Sequence, residues 1–411
     1  MSYLVKLQAA KTIVDVAALL GFKTSRLAYV LYSKDAPAKF RTFQVPKKSG
    51  GSRTIEAPNA MLKTLQRRLA DLLQGCEQEI RVKYGRHDGG PAPDVVSHGF
   101  VRNRSIITNA KQHRRRRMVL NVDLEEFFPS INFGRVRGFF VRDRNFALHP
   151  SVATILAQVA CSGNHLPQGS PCSPVIANLI GHILDVHLVK LAGRNGCRYT
   201  RYADDLTFST NKKEFPEPIA VKLDADGHEW TIGPELSHLV TLCGFRINRK
   251  KTRMQYRDSR QEVTGLVVNR KVNVPSDYRH TVRAMVHRLF TTGAFEITKA
   301  VASETGVKFS KIAGKIEQLH GMIGFIDSID LYNRNLHPNE TARFLSSKEL
   351  TYRRFLLFQD FYVASKPVLV CEGKTDSVYL THAIRSLATR FPRLACIDAA
   401  KKVSSPCANV T

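Results

Sequence analysis

Residues 197–210 have the sequence CRYTRYADDLTFST and place two adjacent acids, Asp204 and Asp205, between two alternating apolar runs. Alternation with a period of two predicts two short strands around a tight turn. Neighbouring carboxylates repel each other, and a divalent cation bound there would remove that repulsion. Phosphoryl transfer by two metal ions uses carboxylates that hold the ions roughly 3.5–4 Å apart. Taken alone, an Asp-Asp turn is more often an ordinary solvated turn.

A third acid ends another predicted strand. Residues 118–123, MVLNVD, form a short apolar run that ends at Asp123 and is typical of a buried strand. Further strands are predicted in residues 243–257 and 262–274, and helices lie between the strands. This interleaving indicates an α/β (α+β) fold, in which Asp123 would approach the doublet from elsewhere in the sheet.

The rest of the chain divides into segments with distinct patterns. In chain order we predict two short helices (1–35), a hairpin turning at Gly50-Gly51 (39–57), a helix (60–80), a Gly- and Pro-rich loop (83–98), basic-faced helices (277–334), a polar linker (335–350) and a strand–turn–helix unit (from 366).

Charge is the most distinctive bulk property. The 411 residues include 62 Lys and Arg against 35 Asp and Glu, a net charge of +27. Such an excess favours nucleic acid as a partner, because Lys and Arg release counterions when they bind phosphates. A basic protein kept soluble by its charge is the alternative. The clustering of basic residues, as in HRRRR at 113–117, favours nucleic acid.

Length and cysteine usage narrow the class of protein. A chain of 411 residues suggests two or three domains. Its eight cysteines form no CxxC pair, which argues against a zinc site or a disulfide framework and fits a reducing compartment. We found neither a run of 18 uncharged apolar residues nor a signal-peptide cleavage site, so we expect a cytoplasmic protein without a membrane partner.

Three ordered motifs supply a context for the acids. NVDLEEFFPSI (121–131), LPQGSPCSPVIANL (166–179) and RYADDLTF (201–208) resemble the palm motifs of reverse transcriptases, and the resemblance extends over most of residues 40–340. It implies a right-hand polymerase with fingers, palm and helical thumb, and RNA-directed DNA polymerase (nucleotidyltransferase) activity. By the same resemblance, two Mg²⁺ ions would be held by Asp123, Asp204 and Asp205, with the Leu124 backbone carbonyl as a further ligand. Hard oxygen ligands suit this ion.

The same resemblance assigns residues that would bind the incoming dNTP. Phe128 would pack under the sugar and exclude a 2′-hydroxyl, whereas Phe127 is the better candidate for a core ring. Gln168 would contact template or nucleotide. Lys48 and Arg53, in PKKSGGSR, would grip the triphosphate, although any flexible basic loop has this composition. Lys251 would protonate the leaving pyrophosphate, with a plain phosphate contact or a solvated charge as alternatives.

Two short motifs resemble signatures of the retron (bacterial) reverse transcriptases. NAKQH at 109–113 matches NAxxH, and residues 263–265 match VTG. The resemblance implies a cognate structured non-coding RNA, priming from a guanosine 2′-hydroxyl, and a branched product, multicopy single-stranded DNA (msDNA). A separate cellular RNase H would remove the copied RNA, within an anti-phage defence system. His113 as one more member of the basic run, and Thr264 as an ordinary strand residue, remain the alternatives.

On this interpretation a set of residues would contact the RNA or the template. They are Asn109, His113, Arg114, Arg115, Val263, Thr264, Gly265 and Arg283. Recognition would depend on the fold of RNA stems and on 2′-hydroxyls, with basic residues at the phosphates. A homo-oligomer is compatible with the sequence.

The C-terminal region carries another signature. VLVCEGKTD at 368–376 resembles the start of a Toprim domain, as in retron polymerases fused to such an effector, and offers Glu372 and Asp376 as a second acidic site. The resemblance departs from the family pattern because about 45 residues follow the linker and no DxD follows Glu372. We therefore expect a truncated domain, or one whose remainder lies elsewhere. A small βα unit without nuclease function is the alternative.

These patterns give a domain plan and two competing functions. We expect N-terminal helices and fingers (1–118), a palm (119–272), a thumb (273–345), a linker (346–365) and a partial Toprim-like segment (366–411). A group II intron-like or other bacterial reverse transcriptase is one alternative function. An RNA–DNA-binding scaffold that gates an effector is the other.

Overall fold

The computed structural model describes residues 2–33, 38–47, 51–83, 96–223, 229–303, 306–336, 346–363 and 371–391, together with the short segments 368–369, 396–397, 403–404 and 409–410. Lys48 and most of the predicted 83–98 loop lie outside the described residues. The chain divides into two compact units, Met1–Pro275 with Ala300–Ser310, and Ser276–Lys299 with Lys311–Thr411.

A four-stranded antiparallel sheet forms the centre of the first unit. Its strands, in the order β4-β5-β3-β8, are β3 (Met118–Leu124), β4 (Arg198–Tyr202), β5 (Asp205–Thr210) and β8 (Ile247–Tyr256). All but one residue of β3 are buried, as the apolar run predicted. The register sets Asp123 opposite Asp205, so the acids meet at one end of the sheet.

Helices cover this sheet and build the remaining core. The helices of the first unit are α1 (Tyr3–Ala9), α2 (Ile13–Leu19), α3 (Thr24–Tyr32), α4 (Ala60–Lys83), α5 (Ile106–Gln112), α6 (Phe133–Arg142), α7 (Pro150–Ala160), α8 (Ser173–Arg194) and α9 (Pro234–Leu242). The N-terminal region contains three helices where we predicted two. A capping box between Thr12 and Asp15 starts α2 immediately after α1 ends, which the apolar spacing alone did not indicate.

Helix α8 is apolar on nearly every face because it is a core helix. By length and composition it is the described helix that could cross a membrane, but most of it is buried within the first unit. Its charged residue Asp185 is 2% exposed and is paired with Arg201 of β4. A buried carboxylate with an arginine partner is expected in a protein core, so the apolar character of α8 is explained by packing.

The predicted hairpin is confirmed in the strands β1 (Phe40–Pro46) and β2 (Ser52–Pro58). They pair antiparallel, with Val45 opposite Arg53. The smaller pairs of the first unit are β6 (Ala220–Lys222) with β7 (Trp230–Ile232), and β9 (Glu262–Val263) with β10 (Leu266–Val267).

The second unit is mainly helical. Its helices are α10 (Ser276–Thr292), α11 (Ile316–Leu336), α12 (Ser347–Leu357) and α13 (Lys374–Leu387). The strands of the C-terminal third are β11 (Glu296–Ser303) with β12 (Gly306–Ala313), β13 (Val368–Leu369) with β16 (Asn409–Val410), and β14 (Cys396–Ile397) with β15 (Val403–Ser404). We predicted basic-faced helices over 277–334; the strands β11 and β12, which lie within that range, correct the prediction there.

The predicted linker at 346–365 is also corrected. A capping box between Ser346 and Glu349 starts α12, and residues 358–362 continue it as a π-helix. Glu349 pairs with Arg334 of α11 at 2.5 Å, and Lys348 pairs with Asp330 at 2.9 Å. These partners fold the segment onto α11, which its polar composition did not reveal. The strand–turn–helix predicted from residue 366 is present as β13 and α13.

Candidate active site

Three carboxylates lie together at one end of the central sheet. Asp123 is on β3, Asp205 begins β5 opposite it, and Asp204 occupies the turn between β4 and β5. The backbone N–H of Leu124 donates to the carbonyl of Asp204 at 3.0 Å. In an extended strand the N–H and C=O of one residue point to the same neighbour, so the Leu124 carbonyl is directed to the side of the doublet. The predicted convergence of acids is therefore present.

The protein environment makes it costly to charge these carboxylates. Burial, together with the negative charges of Asp204 and Asp123, raises the pKa of Asp205 to about 7. Asp205 keeps an exposed surface, while neighbouring protein atoms desolvate its carboxylate. Burial and Asp123 also raise the pKa of Asp204, while the positive charges of Lys251 and Arg53 oppose that rise. A cation bound here would relieve both effects.

Asp123 already has two partners on β8. The ammonium of Lys251 lies 3.0 Å from Oδ2, and the amide of Asn248 donates to Oδ1 at 3.0 Å. Lys251 was predicted for this site, but Asn248 was missed. Its signal was present in INRKKT at 247–252, where Asn248 precedes Lys251 by three positions. The three acids share one end of the sheet, but among the described residues no group of three His, Cys, Asp or Glu side chains is already close enough together to hold a metal ion. The donors nonetheless fit Mg²⁺, because all three are hard carboxylate oxygens.

The LPQG turn is attached to the β1–β2 hairpin. The N–H of Glu56 on β2 donates to the carbonyl of Gln168 at 2.8 Å. The Glu56 carboxylate accepts from the Ser162 hydroxyl at 2.7 Å and lies 2.8 Å from the ring of His165. Gly169 has φ +127°, and a Cβ there would lie 2.9 Å from the Glu56 carbonyl. Only glycine permits both this backbone conformation and so close an approach to the Glu56 carbonyl. The neighbouring Gln168 is half-buried, and the bond from Glu56 fixes the position of its backbone.

Two further predicted nucleotide contacts are on the surface of the first unit. Phe128 is half-buried and packs against Phe127 and Phe100, with ring centroids 5.5 and 6.1 Å apart. Phe127 is 3% exposed, so it is the core ring of the pair. Arg53 is exposed on β2, and its positive charge acts on Asp204 as described above.

The NAxxH residues are buried, which corrects their prediction as RNA contacts. Asn109 and His113 are both 0% exposed. The His113 ring lies 2.7 Å from the hydroxyls of Ser209 and Thr200, and the Thr200 hydroxyl donates to Asn109 Oδ1 at 2.6 Å. With its proton committed to Asn109, Thr200 accepts from Nε2–H, and Nδ1 accepts from Ser209. These bonds attach α5 to β4 and β5, and the side chains have no surface to offer RNA.

The VTG residues form the turn between β9 and β10. Val263 is 0% exposed and packs in the core, so it too is corrected as an RNA contact. Thr264 and Gly265 have φ +48° and +78°, and Gly265 is exposed. The Thr264 hydroxyl donates to the carbonyl of Ile106 on α5 at 3.3 Å. The VTG turn is therefore bound to α5, the helix that carries NAxxH, and Gly265 of that turn is exposed.

The remaining predicted contacts differ in exposure. Arg114 is half-buried and Arg115 is exposed, where its side chain donates to the Arg270 carbonyl at 3.2 Å. Arg283 is exposed on α10 of the second unit. In the same unit Glu372 is exposed. Asp376 accepts the N–H of Gly373 at 3.0 Å and so caps its own helix. Helix capping explains Asp376 without a metal, which weakens the predicted second acidic site.

The burial of His113 predicts a dependence of stability on pH. Burial, with Arg116 nearby, lowers the pKa of His113 from 6.5 to about 3. As pH falls below 6.5 the unfolded state gains a proton that the folded state refuses, so stability is lost. The unfolding free energy of wild type minus that of His113→Gln should fall by up to about 1.4 kcal/mol per pH unit between pH 6.5 and 4.

Urea unfolding of both proteins across this range measures that difference, and groups common to both cancel. His238→Gln, at an exposed histidine, is the matched control. The difference in unfolding free energy between wild type and this variant should not change over the same pH range. A difference between wild type and His113→Gln that stays constant with pH would show that His113 is not held neutral.

Comparison with known proteins adds family membership to this geometry. A family model described as reverse transcriptase (RNA-dependent DNA polymerase) matches residues 45–273. Retron Mx65 reverse transcriptase of Myxococcus xanthus is 36% identical over an alignment of 293 residues that covers 67% of this chain and 62% of that protein. Retron Mx162 reverse transcriptase of the same organism is 32% identical over 348 residues, covering 77% of this chain and 63% of that protein.

A third relative is matched over more of its length. Retron Ec86 reverse transcriptase of Escherichia coli is 30% identical over 323 residues, covering 77% of this chain and 84% of that protein. The matches to the two Myxococcus relatives span a little under two thirds of their lengths. The family model and these relatives together place this chain in the reverse transcriptase family, among the retron reverse transcriptases.

Proposed function

We propose that this protein is an RNA-directed DNA polymerase. The observation that carries the proposal is the group Asp123, Asp204 and Asp205 at one end of the sheet, where burial and mutual repulsion favour a bound cation. Family membership supports the same reaction. The template would be RNA, and the product would be DNA built from dNTPs.

Three side chains would hold two Mg²⁺ ions, with the Leu124 carbonyl as a further oxygen ligand. Bound there, the ions would lower the pKa of the attacking hydroxyl and stabilise the leaving pyrophosphate. Lys251 contacts the Asp123 carboxylate at 3.0 Å, and its exposed ammonium would turn from that carboxylate to the phosphates. There it would donate a proton to the pyrophosphate oxygen as the P–O bond breaks. Asn248 would keep Asp123 oriented during that exchange.

The nucleotide would lie beside the hairpin and the LPQG turn, which are bound to each other through Glu56 and Gln168. Arg53 on β2, and Lys48 beyond the described residues, would neutralise the triphosphate. Gln168 would contact the template or the base, because the bond from Glu56 to its carbonyl holds its backbone. Phe128 would pack under the sugar, with Phe127 and Phe100 behind it.

Sugar selection by Phe128 gives a testable prediction. The variant Phe128→Ala should incorporate ribonucleotides at least about tenfold more efficiently relative to deoxynucleotides, because the removed ring would no longer exclude the 2′-hydroxyl. Competing incorporation of rNTP and dNTP on one primer–template measures the ratio. Phe128→Tyr keeps the bulk and is the matched control, which should discriminate like wild type. An unchanged ratio in Phe128→Ala would assign the ring to packing alone.

The RNA partner would be the cognate structured RNA of a retron. Two positions on the surface at the NAxxH and VTG motifs, Arg115 and Gly265, could contact it, as could Arg114, the Thr264 backbone and Arg283 of the second unit. The buried Asn109, His113 and Val263 would act indirectly by fixing α5 and the β9–β10 turn. The net charge of +27 supports extensive phosphate contact.

We infer further that synthesis starts from a guanosine 2′-hydroxyl and yields branched msDNA, from which a cellular RNase H removes the template. A cytoplasmic, anti-phage role, and an effector function for the segment that begins at β13, extend the same proposal. Glu372 is an exposed acid of that segment and would serve it.

Expression of the protein with the DNA that flanks its coding sequence tests this proposal. The nucleic acid that co-purifies should contain one RNA joined to one DNA strand, and a 2′,5′-debranching enzyme should separate them. A DNA joined by an ordinary 3′,5′ linkage would support a reverse transcriptase of another type. Co-purification of mixed cellular RNA without DNA would favour a non-catalytic RNA-binding scaffold.

A further inference from the structure

Arg201 is an arginine enclosed entirely by protein, three residues before Asp204. It is 0% exposed and heads the fully buried side chains of the described residues by size. Its Nε and Nη2 donate to the two carboxylate oxygens of Asp185 on α8, each at 2.8 Å. Tyr199 donates its hydroxyl to the same carboxylate at 2.9 Å. The charge is thus satisfied by a two-pronged ion pair inside the core.

The third nitrogen of the guanidinium reaches the turn that carries the acids. Nη1 donates to the backbone carbonyl of Ala203 at 3.2 Å and to Asn178 Oδ1 at 3.1 Å. Ala203 has φ +56°, in the left-handed region that non-glycine residues rarely adopt. A backbone in this conformation persists only where its surroundings hold it. The bond from Arg201 supplies such a restraint directly beside Asp204.

Two glycines give the guanidinium and the turn just enough space to approach their neighbours. Gly181 on α8 faces the guanidinium, and a Cβ there would lie 3.0–3.2 Å from its atoms. On the other side of the turn a Cβ on Gly99 would lie 2.6 Å from the Ala203 nitrogen, and the Asn178 amide donates to the Gly99 carbonyl at 2.7 Å. The guanidinium and the turn are therefore both fixed in place, from α8 and from residue 99.

We propose that Arg201, anchored by Asp185, is a positioning residue that holds the Ala203 carbonyl and thereby directs Asp204 and Asp205 toward the metal ions. The inference deepens the proposed function and rests on it. Stability alone is a weak reason for this arrangement, because a buried ion pair is often matched by apolar residues of similar volume. If Arg201 served stability alone, its ion pair with Asp185 would be sufficient. Arg201 also donates a hydrogen bond to the Ala203 carbonyl in the turn.

Two substitutions disturb this contact in different ways. Arg201→Lys keeps the charge but has one nitrogen, which cannot satisfy Asp185 and the Ala203 carbonyl with the planar fork of arginine. Gly181→Ala keeps the arginine but pushes on its guanidinium, and alanine is a better helix former than glycine. The matched control is Arg194→Lys, at the end of α8, the helix that also carries Gly181. Arg194 makes an exposed ion pair with Glu235.

Binding of Mn²⁺ alone, followed by water proton relaxation, is the first readout. The signal lost in Asp204→Asn/Asp205→Asn defines the site. We expect both variants to bind Mn²⁺ at least about tenfold more weakly than wild type, and Arg194→Lys to bind as wild type does. The second readout is the single-turnover rate of nucleotide addition. It should fall by at least about tenfold in both variants, while primer–template affinity stays within twofold.

The outcomes separate this inference from a structural role and from failure of the proposed function. If folded Arg201→Lys and Gly181→Ala bind Mn²⁺ and extend primers within twofold of wild type, Arg201 is only part of the core. If the loss of Mn²⁺ binding and of activity in a variant equals the fraction of that variant that circular dichroism shows to be unfolded, the inference is also overturned. The substitution would then act on folding and not on the position of the acids. If Arg201→Lys does not fold, Gly181→Ala decides. If wild type binds Mn²⁺ but extends no primer, the proposed function fails while the Mn²⁺ comparison still tests Arg201.

Discussion

Replacing Asp204 and Asp205 together by asparagine should reduce primer extension by more than about 10³-fold, because the ions that activate the nucleophile and the leaving group lose two of three carboxylates. Asparagine keeps the size and much of the hydrogen bonding of each side chain, so the loss reports on charge. Single-turnover extension with saturating dNTP and Mg²⁺ measures the effect. Asp258→Asn, at an exposed turn after β8, is the matched control and should extend as wild type does.

The same double variant should be at least as thermally stable as wild type without Mg²⁺. Burial and the neighbouring carboxylates raise the pKa of Asp205 from 3.8 to about 7. A carboxyl whose pKa is higher in the folded than in the unfolded state makes the protein less stable as pH rises from 3.8 toward 7. In that range the unfolded state has already released a proton that the folded state still holds. Adding Mg²⁺ should raise the Tm of wild type only. An inactive variant with a much lower Tm would indicate misfolding, and an active variant would refute the assignment.

Replacing Lys251 by glutamine should lower the single-turnover rate by about 10²-fold or more, the usual contribution of a positioned proton donor. The ammonium lies 3.0 Å from Asp123 and is 56% exposed, so it is free to turn toward the leaving pyrophosphate. Lys250→Gln, one position earlier on β8, is the matched control and should keep the rate within about twofold, because Lys250 is exposed and the ammonium that pairs with Asp123 is that of Lys251.

Lys251→Arg separates the two roles that were open for this residue. Arginine restores a positive charge for a phosphate contact but holds its proton too tightly to donate it. If Lys251 protonates the pyrophosphate, Lys251→Arg should remain as slow as Lys251→Gln. Recovery of the wild-type rate in Lys251→Arg would assign the residue to phosphate binding instead.

The elements with simple periodicity could be predicted from the sequence. The apolar run before Asp123, the alternation around Asp204 and the glycine pair between β1 and β2 each encode local structure, and the strands are present where we expected them. Asp123 and Asp205 are far apart in sequence but lie opposite each other in the sheet. Periodicity could not predict that they meet; the resemblance of the three ordered motifs to a polymerase palm did.

Direction and partnership could not be predicted from the same letters. His113 belongs to a basic run, yet its ring points into the core because Ser209 and Thr200 supply hydroxyls there. Arg201 and Asp185 find each other across a helix and a strand, and no local pattern links them. The hairpin of β11 and β12 interrupts residues whose composition is helical. In the first two cases a partner distant in sequence determines the structure.

Extension of a DNA primer on an RNA template, with each of the four dNTPs supplied separately, tests the central claim most directly. Purified wild-type protein with Mg²⁺ should add only the nucleotide complementary to the template base, and chelation of Mg²⁺ should abolish the product. Folded, metal-loaded protein that extends no primer, or adds all four nucleotides alike, would contradict the claim that these carboxylates form an RNA-templated polymerase centre.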